Sequence, residues 1–200
     1  QSTSNRIIEI DSAAIINTRQ LPANIDAKAS GIGVALESRH LDSRSNPRKG
    51  FDVQINVTAL QRKIIENNAI TGLKDVTGFN FSSLYDSMRT KNNQYQLVAK
   101  VSQYIPIGKN FCLKIGYLGG YVAGARIFRN ELFIIGGFKL LRGFDEQSIF
   151  ANQYHISVTE LRLRMGGNSY AYLFSDNGWV QSQYQNFERS GFYNGFGVGT

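Results

Sequence analysis

The chain has 200 residues, a mass of 22.4 kDa and a net charge of +7, enough for one domain of ordinary size. Its lysines and arginines are scattered and fall in no nucleic-acid-binding motif, so nucleic acid is not expected as a partner. The lone Cys112 excludes an internal disulfide, and no stretch approaches the roughly 18 apolar residues of a membrane helix. Ten Tyr, thirteen Phe and twenty Gly against three Pro suit a β protein. A mean hydropathy of −0.25 is compatible with a membrane barrel, whose strands alternate apolar and polar residues and average to neutral.

In chain order, Ile7 to Ile16 is apolar enough for a strand but alternates poorly, and Gln20 to Ala29, with Pro22, Asn24 and Asp26, reads as a loop. Gly31 to Arg39 alternates, with Ile32, Val34 and Leu36 on one face. A polar turn from His40 to Lys49 follows. Phe51, Val53, Ile55, Val57 and Ala59 then give the clearest period of two in the chain. The segment from Glu66 to Asn93 is polar and aperiodic. Alternation resumes over Gln94 to Ile105, turns at Pro106 to Asn110, and continues from Phe111 to Tyr121. Strands are expected again at Gln153 to Met165, at Ser169 to Val180 after a Gly166-Gly167-Asn168 turn, and at Gly191 to Thr200.

The connections at 40–49, 66–93, 106–110, 125–152 and 166–168 run short, long, short, long, short. Outer-membrane barrels have short turns on one side and long loops on the other, whereas a β-sandwich has no reason to keep that parity. This favours the barrel.

Two strands break the simple pattern. If Leu161, Leu163 and Met165 face lipid, then Glu160, Arg162 and Arg164 face the lumen, and Ile156 and Val158 on that same parity need a bulge or something to pack against. In the next strand Tyr170, Tyr172, Phe174 and Asp176 share a face, and a carboxylate in lipid is costly, so this face belongs inside. Both oddities are resolved if an object fills the barrel. The long aperiodic segment 125–152 is the candidate, since loops of this length are commonly functional. At its centre stand Arg142, Gly143 and Phe144, preceded by Gly136 and Gly137 and followed by Asp145 and Glu146. Arginine can present a fork of donors to a carboxylate, glycine allows a turn that bulkier residues resist, and Phe144 supplies an apolar anchor.

The ordered motifs GG-x-x-x-LRGF (136–144), TELRLR (159–164) and LFSDNG (173–178), with NPRKG (46–50) and the closing GFGVGT (195–200), resemble the outer-membrane barrel-assembly superfamily of BamA, TamA and the two-partner secretion transporters, also described as bacterial surface antigens. The resemblance spans the chain from about Gly31 onward. It implies a sixteen-stranded transmembrane β-barrel in the bacterial outer membrane, preceded by periplasmic POTRA domains. About seven antiparallel strands of it are present here, so residues 1–200 are expected to be an incomplete C-terminal barrel domain carrying a lumen-directed loop at 125–152 and no POTRA domain. The resemblance further implies that Arg142 meets Asp176 on the inner wall, with Glu160 a second acceptor nearby; Gly143 and Phe144 complete this loop latch, and Gly136 and Gly137 support the loop.

The function it implies is assembly, insertion or translocation of outer-membrane proteins without a cofactor. The partners are the lipid bilayer, client outer-membrane or secreted proteins, and periplasmic or lipoprotein accessory subunits. Two alternatives stand beside it: a secretion pore for one dedicated exported protein, and a passive porin or structural barrel. No enzyme is expected. His40 and His155 lack partners at metal-ligand spacing, no G-x-S-x-G elbow occurs, and the Gly195-x-Gly197-x-Gly199 stripe opens no helix as a phosphate loop would. The acidic pair Asp145-Glu146 gathers too few oxygen ligands for a cation site.

Overall fold

Period-two alternation becomes a sheet only when each strand finds partners for its backbone. In the computed structural model, which describes residues 2–5, 10–88, 92–166 and 169–200, those partners are the sequence neighbours. The strands are β1 (Ser2–Asn5), β2 (Ala27–Leu41), β3 (Gly50–Ile64), β4 (Asn92–Ile107), β5 (Phe111–Gly124), β6 (Phe133–Ile135), β7 (Ile149–Ala151), β8 (Gln153–Gly166), β9 (Ser169–Tyr184) and β10 (Phe187–Gly199). The main sheet has the order β1-β2-β3-β4-β5-β8-β9-β10 and is antiparallel at every pairing, while β6 and β7 form a separate hairpin within 125–152.

The expected parity of connections is present from β2 to β9. Short links after β2, β4 and β8 lie at one end of the sheet, and the long segments after β3 and β5 lie at the other. The link between β9 and β10 departs from it: β9 continues to Tyr184 and β10 begins at Phe187, so the expected gap from Val180 to Gly191 is a tight turn at the long-loop end. Gln185, at φ 48°, makes that turn. Likewise β4 runs through Pro106 to Ile107, which shortens the following turn to 108–110. Residues 167 and 168 of the Gly166-Gly167-Asn168 turn lie outside the described residues.

The strand considered over Ile7 to Ile16 is a helix where it is described. Ile7 to Glu9 lie outside the described residues, and Ser12–Thr18 is α1. Asp11 caps it by accepting from Ala14 N at 3.0 Å, and Arg19 ends it in the left-handed conformation. The polar segment after β3 also has structure, with a short helix α2 at Asn68–Thr71 and a 3-10 helix at Phe81–Met88. Helices won because these pieces pack as one cluster: Ile15, Ile25, Ile70, Phe81, Tyr85 and Phe128 are all buried together. Apolar residues spaced for that cluster leave no period-two trace.

The two faces of the main sheet differ sharply. One exposes Ile32, Val34 and Leu36 of β2, and Phe192 (81% exposed), Phe196 (85%) and Val198 of β10. Such a contiguous apolar surface is foreign to a soluble monomer. The row that contains Leu36 passes through Ile55, Ala99 and Gly119 to His155 of β8. The apolar residues of β8 (Leu161, Leu163 and Met165) lie farther along that strand. A level apolar band across the sheet therefore requires strands tilted to it, as in barrels.

The opposite face is covered by segment 125–152. Ile135, Leu141 and Ala151 from that segment are buried against Tyr154, Ile156, Val158 and Val180 of the strands. Ile156 and Val158 are thus accommodated by packing. The register between β8 and β9 is unbroken until Arg164/Gly166, so no bulge is needed at the former positions.

Candidate functional site

Segment 125–152 is fixed at its start and again near its tip. At the start, Arg62 of β3 (2% exposed) pairs with Glu131. Its Nη2 donates to Arg126 O at 2.6 Å, and the guanidinium lies over the Phe128 ring at 5.9 Å. Glu131 also accepts from Phe128 N at 2.9 Å. This contact was not legible in the sequence, because Arg62 and Glu131 sit in stretches with no shared motif.

Two glycines and one strained leucine aim the tip. Gly136 (φ 108°) and Gly137 (φ 96°) occupy backbone that other residues rarely adopt. A side-chain carbon on Gly137 would collide with the Glu146 carboxylate, which accepts from Phe138 N at 2.9 Å. Leu141 is left-handed as well, at φ 65°. That conformation costs a non-glycine residue roughly 1–2 kcal/mol. The leucine is 1% exposed, and burying such a side chain contributes about 1.5–3 kcal/mol, which offsets the strain. The turn also directs the next backbone N–H, that of Arg142, toward β9.

Arg142 makes four hydrogen bonds, three to β9 and one to β8. Its backbone N donates to Asp176 Oδ2 at 3.0 Å, Nε to the same oxygen at 2.8 Å, and Nη2 to Oδ1 at 2.7 Å. Nη1 donates to Glu160 Oε1 at 2.8 Å. Asp176 is 1% exposed, so its charge has little water and depends on these donors. The guanidinium also lies over Phe174, at 3.9 Å from the ring centre, and more distantly over Tyr172 at 5.8 Å. Glu160 is shared three ways: Oε1 also accepts from Lys114 Nζ at 3.1 Å, and Oε2 from Arg162 Nε at 2.8 Å and Nη2 at 2.6 Å.

Gly143 (φ 93°) follows, with its backbone on Gly195 of β10. A side-chain carbon at Gly195 would strike the Arg142 carbonyl, whereas Gly197 and Gly199 lie against Phe174 and Tyr172 of β9, so Gly195 is the seat of the loop. Phe144 packs edge-on against Tyr193 at 5.4 Å.

The structure therefore brings Arg142, Glu160 and Asp176 into one cluster, with Gly136 and Gly137 shaping the turn and Gly143 and Phe144 on β10. The sequence reading missed Lys114, Arg162 and Gly195 as members. Lys114 stands directly across from Glu160 in the β5–β8 register, which only correct strand pairing reveals, whereas the shared parity of Glu160 and Arg162 was visible.

A model of the Omp85 superfamily domain matches residues 4–200. The chain belongs to the Omp85 superfamily. No curated protein sequence matches it. Omp85 proteins are outer-membrane proteins of bacteria concerned with inserting or translocating other proteins, and the antiparallel sheet with one apolar face is consistent with a segment of such a barrel. In this Omp85 chain the described residues hold no group of three or more His, Cys, Asp or Glu side chains placed to bind a metal ion.

Proposed function

We propose that this chain is part of the barrel wall of a BamA/TamA-type protein that assembles or inserts outer-membrane proteins. In this reading the apolar face meets lipid, the covered face lines the lumen, and segment 125–152 is a lumen-directed loop with Arg142 as its latch. The observation that supports it most is the fork of Arg142 on Asp176. A mobile loop needs no bidentate, largely desolvated ion pair at its tip, whereas a loop that sets the state of a barrel does. The partners are the bilayer, client proteins and periplasmic accessory subunits, and the chemistry requires no cofactor.

The experiment is the Arg142→Ala variant of the full-length protein, reconstituted with unfolded client barrels. Client assembly should fall while the protein itself still inserts into membrane. Unchanged client assembly, together with a steady open-pore conductance in planar bilayers, would overturn this reading in favour of a passive pore.

A further inference from the structure

Between the tip of segment 125–152 and the strands lies a cavity of about 210 Å³. Its charged lining is unbalanced: Lys100, Lys114, Lys139, Arg142 and Arg162 face it with only Glu160 and Asp176 as counter-charges, a surplus of three positive charges. The two carboxylates are already engaged. Glu160 accepts from three different cations, and Asp176 has both oxygens on Arg142. Lys100 and Lys139 have no acidic partner among the described residues, and Lys114 Nζ has two further N–H groups beyond its bond to Glu160. Tyr170 and Tyr172 complete the wall, with their ring faces toward Arg162 and Arg142.

We propose that this cavity binds a phosphate group, held between the loop and the barrel wall. Like charges collected in a confined, partly desolvated space repel, and a compact anion with several acceptor oxygens removes that cost. A phosphate monoester carries close to two negative charges and three acceptor oxygens, a better match to a surplus of three than a single carboxylate. Lys139 and Arg142 come from the covering segment, while Lys100, Lys114 and Arg162 come from β4, β5 and β8. A bound phosphate therefore cross-links loop and wall beside the Arg142–Asp176 contact, and any ligand that binds only the seated loop stabilises that state by mass action. The proposal rests on this charge balance and not on the assembly role, since binding is read with no client present.

The test is calorimetric titration of the full-length protein, purified in detergent micelles, with inorganic phosphate and separately with glycerophosphate as a soluble lipid headgroup. The variants are Lys100→Gln, Lys139→Gln and the pair combined. Both lysines are exposed and lie outside the buried hydrogen-bonded cluster, so the variants keep the fold. Saturable phosphate binding that weakens about tenfold or more in the double variant, with slower proteolysis of segment 125–152 at saturation, is the expected result. Tighter binding of glycerophosphate than of inorganic phosphate assigns the site to a headgroup, and the reverse assigns it to the free anion. Absence of binding by both probes, binding that the double variant leaves unchanged, or binding of an acidic peptide where both phosphates fail would each overturn the proposal.

Discussion

Arg142 and Asp176 lie 34 residues apart in sequence, and both oxygens of the aspartate are engaged by the arginine, one by Nη2 and the other by Nε and the backbone N. The aspartate is fixed in a strand and the arginine in a segment with no long strand of its own, so the contact decides where the tip of that segment lies. Removing one side of a buried pair leaves an uncompensated charge and costs about 3–5 kcal/mol. Arg142→Ala is therefore expected to unseat the tip. Limited proteolysis of the full-length protein should cut within 125–152 much faster in the variant, and equal rates would refute the latch.

Lysine should not rescue this site. Its single ammonium cannot form the parallel pair of bonds to Asp176 or lie flat on Phe174 as the guanidinium does. Arg142→Lys is expected to recover less than half of the proteolytic protection that Arg142→Ala loses.

Gly195 offers a steric test that leaves every charge in place. A methyl group there meets the Arg142 carbonyl, and neither partner is a flexible side chain. Gly195→Ala should displace the loop, and Gly195→Val should do so more strongly, each costing about 1–3 kcal/mol as overpacking does. Crosslinking efficiency between cysteines placed at Phe144 and Tyr193, whose rings stack edge-on, measures the displacement. Efficiency that stays constant across the series would show that the glycine is not a seat.

The cluster formed by the long segments should unfold without the sheet. Ile70 is wholly buried and Phe81 nearly so, beside Ile15 and Phe128. Truncating such side chains to alanine costs roughly 2–5 kcal/mol. Hydrogen exchange in Ile70→Ala or Phe81→Ala is expected to speed up across 65–88 and α1 and to remain slow in β3 and β4. Acceleration spread evenly over the strands would contradict this.

Asp75 gives these segments a defined pH dependence. It accepts from Phe79 N at 3.0 Å, Thr77 N at 3.0 Å and Thr77 Oγ1 at 2.8 Å, and pairs with Arg19 at 3.5 Å. These donors, the backbone N–H of Phe79 foremost and the Thr77 hydroxyl next, hold its carboxyl below the ordinary value of 3.8. A carboxyl lowered by folding stabilises the fold above its unfolded value, and that contribution is lost as the pH falls through the folded one. Protection factors of the Thr77 and Phe79 amides should therefore hold constant above about pH 5 and decline below pH 4. In Asp75→Asn the acid-dependent decline should vanish.

Much of the fold was readable because period-two alternation survives wherever a strand has one apolar face. Phe51 to Ala59 shows this, as does Phe111 to Tyr121. Boundaries were less legible. Tyr184 and Phe187 belong to strands because they pair across a two-residue turn, and nothing in their composition marks that turn as a hairpin. Helix α1 was hidden for a different reason: Ile15 packs against residues more than fifty positions away, and a seven-residue helix has too few turns to display a period. At the candidate site, Arg142, Glu160 and Asp176 could be named from motif and parity. Lys114 and Gly195 depended on register and on the path of the covering backbone, which are tertiary facts.

The turn at Gln185 ties the end of β9 to the segment before β2. Its side-chain Nε2 donates to the carbonyls of Leu21 and Pro22 (3.4 and 3.0 Å), across 163 to 164 residues, and its backbone N donates to Ile127 O at 3.2 Å. Contacts of such separation carry a large loop-closure entropy, and their partner must first be in place. Ala23 and Ile25 are held by Arg129 and Asn130, whereas the carbonyls of Leu21 and Pro22 gain these bonds only after β9 has been laid down. A probe at Leu21 is thus a clock for biogenesis, since its carbonyl meets Gln185 only once β9 has formed and the chain has turned back toward β10.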